Sequence, residues 1–305
     1  MIHRLTVPGG WLDAQQLDGQ LSRQLATRPA NTTLELHLGQ DTRLSVGACV
    51  RLLSFLQEFE AHGVPVSVHG LATWGLGSYL DRLGFFALLG PGITVRRAGP
   101  SGQFDDRRGD HPHLVELAAI AASGPRDAAL PSQLADRLAA CALPEHREAL
   151  GATAFTFFAE LIDNIRLHSR SPRPGLVALQ VYAPTAGARR MVEVVVADAG
   201  DGVLATLRPA LAIDRPGLAA LSDEALLLHA VNEGASRHGA EAGCGITQSA
   251  RKVLRRTDPE LSVRIPELRL TLSPGASSYA IIDQRRPPAL FSLPGTHWVA
   301  RYALD

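Results

Sequence analysis

The stretch ELIDNIRLHS, residues 160–169, places a carboxylate, an amide and an imidazole four residues apart, at Glu160, Asn164 and His168. In an α-helix, residues at this spacing lie on one face, so the three polar side chains form a single stripe. The sequence just before them, AFTFFA, is largely apolar. The stripe is therefore either the solvent-facing edge of a packed helix or the wall of a charged ligand site, and the pattern alone leaves both open.

The overall composition indicates a globular protein with an ordinary core, because 46% of the residues are hydrophobic and 20% are charged. A length of 305 residues predicts two domains or one large one. The formal net charge is zero, which gives no electrostatic reason to expect nucleic acid or an anionic membrane as a direct partner. Lys252, the only lysine, lies in ARKVL, which excludes the Gly-Lys-Ser/Thr of a P-loop.

Three cysteines, Cys49, Cys141 and Cys244, lie far apart and form no CxxC pair. They predict neither a disulfide framework nor a zinc site, which fits a reducing cytoplasm. The HPH at 111–113 is expected to be a surface loop. The N-terminal MIHRLTVPGG lacks the apolar core of a signal peptide, and no apolar run is long enough to span a membrane. The expected location is cytoplasmic.

Residues 1–100 alternate strand-like and helix-like patterns, which predicts an α/β domain with a partly parallel sheet. The next residues, 101–114, are rich in Gly, Asp and Arg and are expected to be a linker. The predicted strands are 32–39, 64–71 and 92–98, and the predicted helices are 46–63 and 78–85.

Residues 115–305 are expected to form a second domain, in which helices pack on one face of a mixed, mostly antiparallel sheet, an α+β sandwich. The chain is predicted to be mostly helical up to His168, with a loop between Gly202 and the next helix. The predicted helices are 114–123, 131–143, the one containing Glu160, and 222–236; the predicted strands are 175–184, 190–200, 268–275, 278–284 and 297–304.

Two glycine-rich stretches follow the Glu160 helix. The strand-like VEVVVA runs into Asp198, Gly200 and Gly202, and GCGI at 243–246 is predicted to begin a helix. A helix N-terminus with a glycine-rich entry presents free N–H groups to phosphate. Gln248 occupies the position of the third glycine of GxGxxG, so a dinucleotide-binding fold fits poorly.

Taken in this order, the Glu-x-x-x-Asn helix, the Asp-x-Gly-x-Gly after a strand and the Gly-x-Gly before a helix resemble the GHKL ATPase superfamily. The resemblance covers about residues 115–305 and is closest to the anti-sigma serine kinases and histidine kinases. It implies bound ATP and Mg²⁺. The closing GTHWVARYAL looks like the family's last strand, in which Thr296 approaches the nucleotide.

The resemblance also implies roles for individual residues. Asn164 would hold Mg²⁺, Asp198 would accept a hydrogen bond from the adenine amino group, and Glu160 would be the general base. Arg237 is expected to be a solvated residue of the ATP lid. The other residues implied to contact the nucleotide are Gly200, Gly202, Gly243, Cys244, Gly245, Ile246 and Thr296.

The first domain resembles a STAS domain, the fold of anti-sigma-factor antagonists, through LELHLGQDTRLSVGACVRLL and YLDRLGFFALL. In that family a phosphate-accepting hydroxyl precedes the glycine at a helix N-terminus. Here Val46 precedes Gly47, and Ser45 lies one position early, where it is a candidate helix N-cap. The stretch therefore predicts an interaction or dimerisation module, not a phosphorylated switch.

Together the resemblances imply a regulatory protein that binds ATP and transfers phosphate to a serine of a partner protein, such as a STAS-type antagonist or a sigma-factor-related protein. Two alternatives stay open. One is an ATP-operated conformational switch that controls a partner without phosphotransfer, and the other is a nucleotide-binding scaffold without turnover. A homodimer is compatible with all three.

Overall fold

The structure is a computed structural model that describes residues 2–25, 32–72, 75–98, 114–121, 128–183, 190–234, 260–275 and 278–304. The chain divides into two units. The first unit comprises Met1–Leu117 together with Arg286–Leu293, and the second comprises Ala118–Arg285 together with Pro294–Asp305.

The first unit is built on a parallel sheet of four strands in the order β1-β3-β5-β6. A short parallel pair, β2 with β4, lies in the same unit. The strands are β1 (Ile2–Val7), β2 (Gly10–Leu12), β3 (Thr33–Leu38), β4 (Thr42–Leu44), β5 (Val66–Ala72) and β6 (Ile93–Ala98).

Three helices accompany this sheet: α1 (Ala14–Gln24), α2 (Val46–Ala61) and α3 (Leu76–Arg82), the last followed by a 3₁₀ turn at Phe85–Leu88. Alternate residues of β3 are buried, which puts Leu34, Leu36 and Leu38 on the core side. Glu35 and His37 lie on the opposite face, which is more open to solvent. The alternation of strands and helices confirms the α/β class expected for this part of the chain.

The N-terminus of α2 is capped by Ser45, whose hydroxyl accepts a hydrogen bond from the N–H of Ala48 at 3.2 Å. The Ser45 side chain is fully buried. One turn into α2, Arg51 forms a buried ion pair with Asp18 of α1, with 3.3 Å between Nε and Oδ1. The Ser45 cap was predicted from the sequence, whereas the ion pair was not.

Residues 286–293 belong to the first unit although the strands before and after them belong to the second. The N–H of Phe291 donates to the hydroxyl of Ser22 at 2.9 Å. The Phe291 ring meets Phe55 edge-to-face at 5.2 Å, and Leu290 and Leu293 are buried. The sequence pattern did not indicate this return of the chain.

The second unit is built on a sheet of seven strands in the order β12-β11-β10-β13-β9-β8-β7, of which the edge strand β7 begins in residues assigned to the first unit. Every neighbouring pair from β12 to β8 is antiparallel. The strands are β7 (Leu114–Ile120), β8 (Gly175–Tyr182), β9 (Arg190–Ala197), β10 (Glu260–Ile265), β11 (Leu268–Pro274), β12 (Tyr279–Arg285) and β13 (His297–Leu304).

Helices α4 and α5 pack against each other in this unit. The helices are α4 (Leu130–Ala140), α5 (Arg147–His168), α6 (Val203–Asp214), α7 (Pro216–Ala219) and α8 (Asp223–His229), with a 3₁₀ turn at Pro144–His146 and a π turn at Ala230–Gly234. No helix in the described ranges combines the length and apolar character needed to cross a membrane.

Two sequence-based predictions for this part of the chain are wrong. The LVELAAI predicted as helix is strand β7, because a short apolar run fits a buried strand as well as a helix and the neighbouring strand decides between them. The loop predicted after Gly202 is helix α6, which contains Pro209 in its interior. Gly202 and Pro209 are typical of turns, so they concealed a helix that buries Leu204, Leu207 and Leu211.

Candidate functional site

A cavity of about 70 Å³ opens in the second unit beside α5, the end of β9 and the start of β13. Four residues that sequence analysis selected line it together: Asn164, Asp198, Gly202 and Thr296. They come from three separate segments of the chain. The remaining lining residues are Leu161, Ile165, Ser169, Val196, Val203, Thr206 and Trp298.

Helix α5 contributes Asn164 to the cavity wall, flanked by Leu161 and Ile165. Within the described ranges, no side chain or backbone group forms a hydrogen bond with the Asn164 amide. The amide is therefore available to a ligand or a cation. Its carbonyl oxygen can accept a hydrogen bond or ligate a cation, and its N–H groups can donate.

Glu160 lies one helical turn before Asn164 on the same stripe of α5, but it does not line the cavity. Burial raises the pKa of its carboxyl above the usual range, and the neighbouring charge of Asp163 raises it further. A raised pKa makes the carboxylate a better proton acceptor. The side chain of His168, the third member of the stripe, lies outside the described part of the chain.

Asp198 directly follows β9, and its carboxylate is held by two backbone groups. Oδ1 accepts from the N–H of Gly200 at 2.8 Å, and Oδ2 accepts from the N–H of Thr296 at 3.1 Å. Burial raises the pKa of Asp198, although these hydrogen bonds partly oppose the shift by stabilising the ionised form. Each oxygen retains acceptor capacity, so the carboxylate can still receive a donor from a ligand.

Close backbone contacts explain two glycines near Asp198. A Cβ on Gly200 would collide with the carbonyl of Ser169, and a Cβ on Gly295 would collide with the carbonyl of Asp198. Gly295 also has a φ of +89°, which side chains rarely adopt. These glycines therefore allow the segment after β9 to pack between the end of α5 and the start of β13.

Thr296 connects the cavity to the beginning of α6. Its hydroxyl oxygen accepts from the N–H of Val203 at 2.8 Å. Gly202, the N-cap residue of α6, has no side chain with which to cap the helix. Thr296 thus satisfies a free N–H of the first turn from a distant part of the sequence.

Several cavity residues were not predicted from the sequence, of which Trp298 and Ser169 are the most informative. Trp298 lies two residues after Thr296, and both residues line the cavity. The period-two alternation of a strand would have placed them on the same side. Ser169 follows the last residue of α5, and its carbonyl accepts from the N–H of Asp201 at 3.2 Å. No sequence signal distinguishes it.

The second predicted glycine box lies outside the described residues. This applies to Gly243, Cys244, Gly245 and Ile246, and equally to Arg237. Of the other predicted site residues, Asn164, Asp198, Gly202 and Thr296 line the cavity, whereas Glu160 and Gly200 do not.

The walls of the cavity combine apolar surface with few polar groups. Leu161, Ile165 and Val196 provide aliphatic contacts, and Trp298 adds an aromatic ring. A buried carboxylate in such a wall accepts hydrogen bonds, which suits a flat, apolar ligand that bears an amino group.

Comparison with known proteins does not assign the chain to a family: no protein-family model matches it, and no curated protein matches it. The interpretation of the cavity therefore depends on its residues and their geometry.

Proposed function

We propose that the second unit binds ATP with Mg²⁺ in the manner of the GHKL ATPases and transfers the γ-phosphoryl group to a serine of a partner protein. One observation carries the proposal. Asn164, Asp198, Gly202 and Thr296, which come from separate segments of the chain, line the same cavity. If their motifs had arisen by chance, there would be no reason for these residues to meet.

The adenine end of the site is assigned to Asp198. Its carboxylate is held by the N–H groups of Gly200 and Thr296, so an incoming amino group meets an acceptor in a fixed orientation. Adenine offers such an amino group, whereas guanine presents a carbonyl oxygen at the corresponding position. Trp298 and the aliphatic wall supply apolar contact for the base.

The phosphate end is assigned to Asn164 and Glu160. The amide oxygen of Asn164 is the type of ligand that Mg²⁺ accepts, and the ion would neutralise charge on the phosphates. Glu160, one turn away, has a raised pKa and would accept the proton of the attacking hydroxyl or water.

The conformational switch is a second candidate, and the path of the chain favours it. Thr296 of the cavity follows closely after residues 286–293, which pack within the first unit. A nucleotide that moves Thr296 would pull on a segment whose Phe291 and Leu293 are anchored in the other unit. Such a device would not require phosphate transfer.

Incubation with γ-labelled ATP and Mg²⁺, in the presence of cell extract, separates these functions. Label in a protein band supports a kinase, label in free phosphate supports an ATPase, and bound but unchanged ATP supports a switch or scaffold. Glu160→Gln should lower turnover about 10²- to 10⁴-fold while retaining nucleotide binding. Absence of ATP binding to the wild-type protein at millimolar ligand would refute the proposal.

A further inference from the structure

Two histidines and a glutamate lie together on the open face of the first unit's sheet. His37 on β3 pairs directly with His69 on the neighbouring strand β5. Glu35 lies two residues before His37 on β3, so its side chain points to the same face. The ligand atoms of the three side chains all lie within 4.8 Å of one another, and no other group of this kind occurs in the described ranges.

The two imidazole rings are almost parallel, with 4.5 Å between their centroids and 9° between their planes. Nε2 of His37 lies 3.2 Å from Oε2 of Glu35. Nε2 of His69 is buried and has no hydrogen-bond partner among the described residues. A buried ring nitrogen without a partner is costly, so this atom is expected to contact a group that the protein itself does not supply.

Neighbouring residues hold the three side chains in position. A β-bulge follows His69 at Gly70, whose φ of +86° requires glycine, and such bulges commonly redirect a side chain. Arg4 on β1 donates two hydrogen bonds to Oε2 of Glu35, at 3.1 and 3.2 Å. In the described ranges no group hydrogen-bonds Oε1, which leaves this oxygen available for a further ligand. Carboxylates that bind metal ions are commonly oriented by such a hydrogen bond.

We propose that Glu35, His37 and His69 bind a divalent first-row transition ion, for which Zn²⁺ is the reference. Two imidazole nitrogens and one carboxylate oxygen are ligands that suit Zn²⁺, whereas Mg²⁺ and Ca²⁺ prefer all-oxygen sites. The His37 side chain is 34% exposed and that of Glu35 is 19% exposed, so an ion reaches them from solvent. Three protein ligands leave a fourth tetrahedral position for water.

This site is independent of the proposed nucleotide function, since it uses only residues of the first unit. The sequence did not reveal it because His37 and His69 lie on separate strands and show no motif spacing. Only the parallel pairing of β3 with β5 places them side by side.

Calorimetric titration of the nucleotide-free full chain with Zn²⁺ tests the proposal. The wild type should bind one ion at this site, and His37→Ala and His69→Ala should each weaken that binding at least tenfold. His62→Ala is the matched control, because His62 forms a 3.3 Å pair with Glu58 but belongs to no three-residue cluster of ligand groups among the described residues. A variant lacking His111 and His113 should also retain binding. Equal affinity in the wild type and in both cluster variants would overturn the proposal.

A spectroscopic measurement on the wild type tests the metal site without requiring that the variants fold. Cu²⁺ bound to the cluster should show coupling to two imidazole nitrogens by electron paramagnetic resonance. Zn²⁺ should also raise the unfolding temperature of the wild type and of His62→Ala, but not of Glu35→Gln, because a ligand stabilises only the state that binds it. A copper spectrum without nitrogen coupling would contradict the assignment.

Discussion

Asp198 and Thr296 are joined by two hydrogen bonds: the N–H of Asp198 donates to the carbonyl of Thr296 at 3.0 Å, and the N–H of Thr296 donates to the side-chain Oδ2 of Asp198 at 3.1 Å. This reciprocal pair extends the antiparallel pairing of β9 with β13 to the edge of the cavity. It fixes the carboxylate in place before any ligand arrives. The cavity is thus preorganised around an acceptor.

Replacement of Asp198 by Asn is expected to weaken ATP and ADP binding about tenfold or more. The substitution puts an N–H donor where an acceptor is needed, and an unpaired buried polar contact costs roughly 1–3 kcal/mol. Calorimetry with ATP and GTP measures the effect. The matched control is Asp201→Asn, because the Asp201 side chain is 55% exposed and outside the cavity lining. Equal losses for ATP and GTP would contradict the adenine contact.

Adenine nucleotide affinity should fall as the pH is lowered through the raised pKa of Asp198. The ionised carboxylate is the form that accepts from the amino group, so binding favours deprotonation and affinity rises with pH. Titrations with ADP between about pH 8 and pH 5 test this, since the ordinary aspartate pKa is about 3.9. The wild type should lose more affinity than Asp198→Asn, in which only the ligand's own groups titrate. If ADP affinity had the same pH dependence in both proteins, Asp198 would be excluded from the contact with the adenine amino group.

Asn164→Ala should remove the gain in ATP affinity that Mg²⁺ provides, while adenosine binding stays unchanged. The reason is that the amide oxygen is assigned to the cation and not to the base. ATP titrations with Mg²⁺ and with a chelator measure the gain in each protein. Adenosine is the control ligand, since it has no phosphate to bridge. A variant that still gained affinity from Mg²⁺ would show that another group holds the ion.

Breaking the buried pair of Arg51 and Asp18 should destabilise the first unit strongly. Arg51→Met leaves the Asp18 carboxylate buried without its partner, which costs about 3–5 kcal/mol. Hydrogen exchange of the backbone amides in α1 and α2 measures this loss of stability. The double variant Asp18→Leu/Arg51→Met should recover much of it, because no buried charge remains. As a control, Arg4→Met removes a pair with Glu35 in which the arginine is 65% exposed, and it should cost no more than about 1 kcal/mol.

Residues 1–100 should not be phosphorylated by the protein's own second unit. Ser45 is fully buried and caps α2 through the N–H of Ala48, and phosphorylation would require this cap to open. Intact-mass analysis after incubation with ATP and Mg²⁺ is the measurement. One added phosphate that mapped to Ser45, and that disappeared in both Ser45→Ala and Asn164→Ala, would make this domain a phosphorylated switch after all.

Local sequence patterns were sufficient to predict α5, the glycine turn after β9 and the strand that begins after Thr296. Each depends on interactions within a short segment: the spacing of Glu160 and Asn164, the Gly200 and Gly202 that permit a sharp turn, and the alternation in β13. The resemblance to the GHKL family that these motifs carry then selected four residues that line the cavity. The side-chain types and their order along the chain were therefore enough to point to a candidate site.

Features that depend on contacts between distant segments could not be predicted in this way. The run LVELAAI becomes strand β7 because a neighbouring strand pairs with it, not because its own pattern excludes a helix. Helix α6 forms despite Pro209 and the lack of a side-chain cap at Gly202. Burial of the α6 leucines stabilises the helix, and Thr296 caps it from a distant part of the sequence.

The return of residues 286–293 to the first unit and the pairing of His37 with His69 were likewise decided by tertiary structure alone. Each of these contacts joins residues that are distant in the sequence and share no periodic pattern or motif. The sequence by itself determined the local elements and the chemistry of the individual site residues, because these depend on backbone preference and side-chain type. Which segments meet was decided by the burial and hydrogen bonding of the whole chain, to which every strand pairing contributes at once.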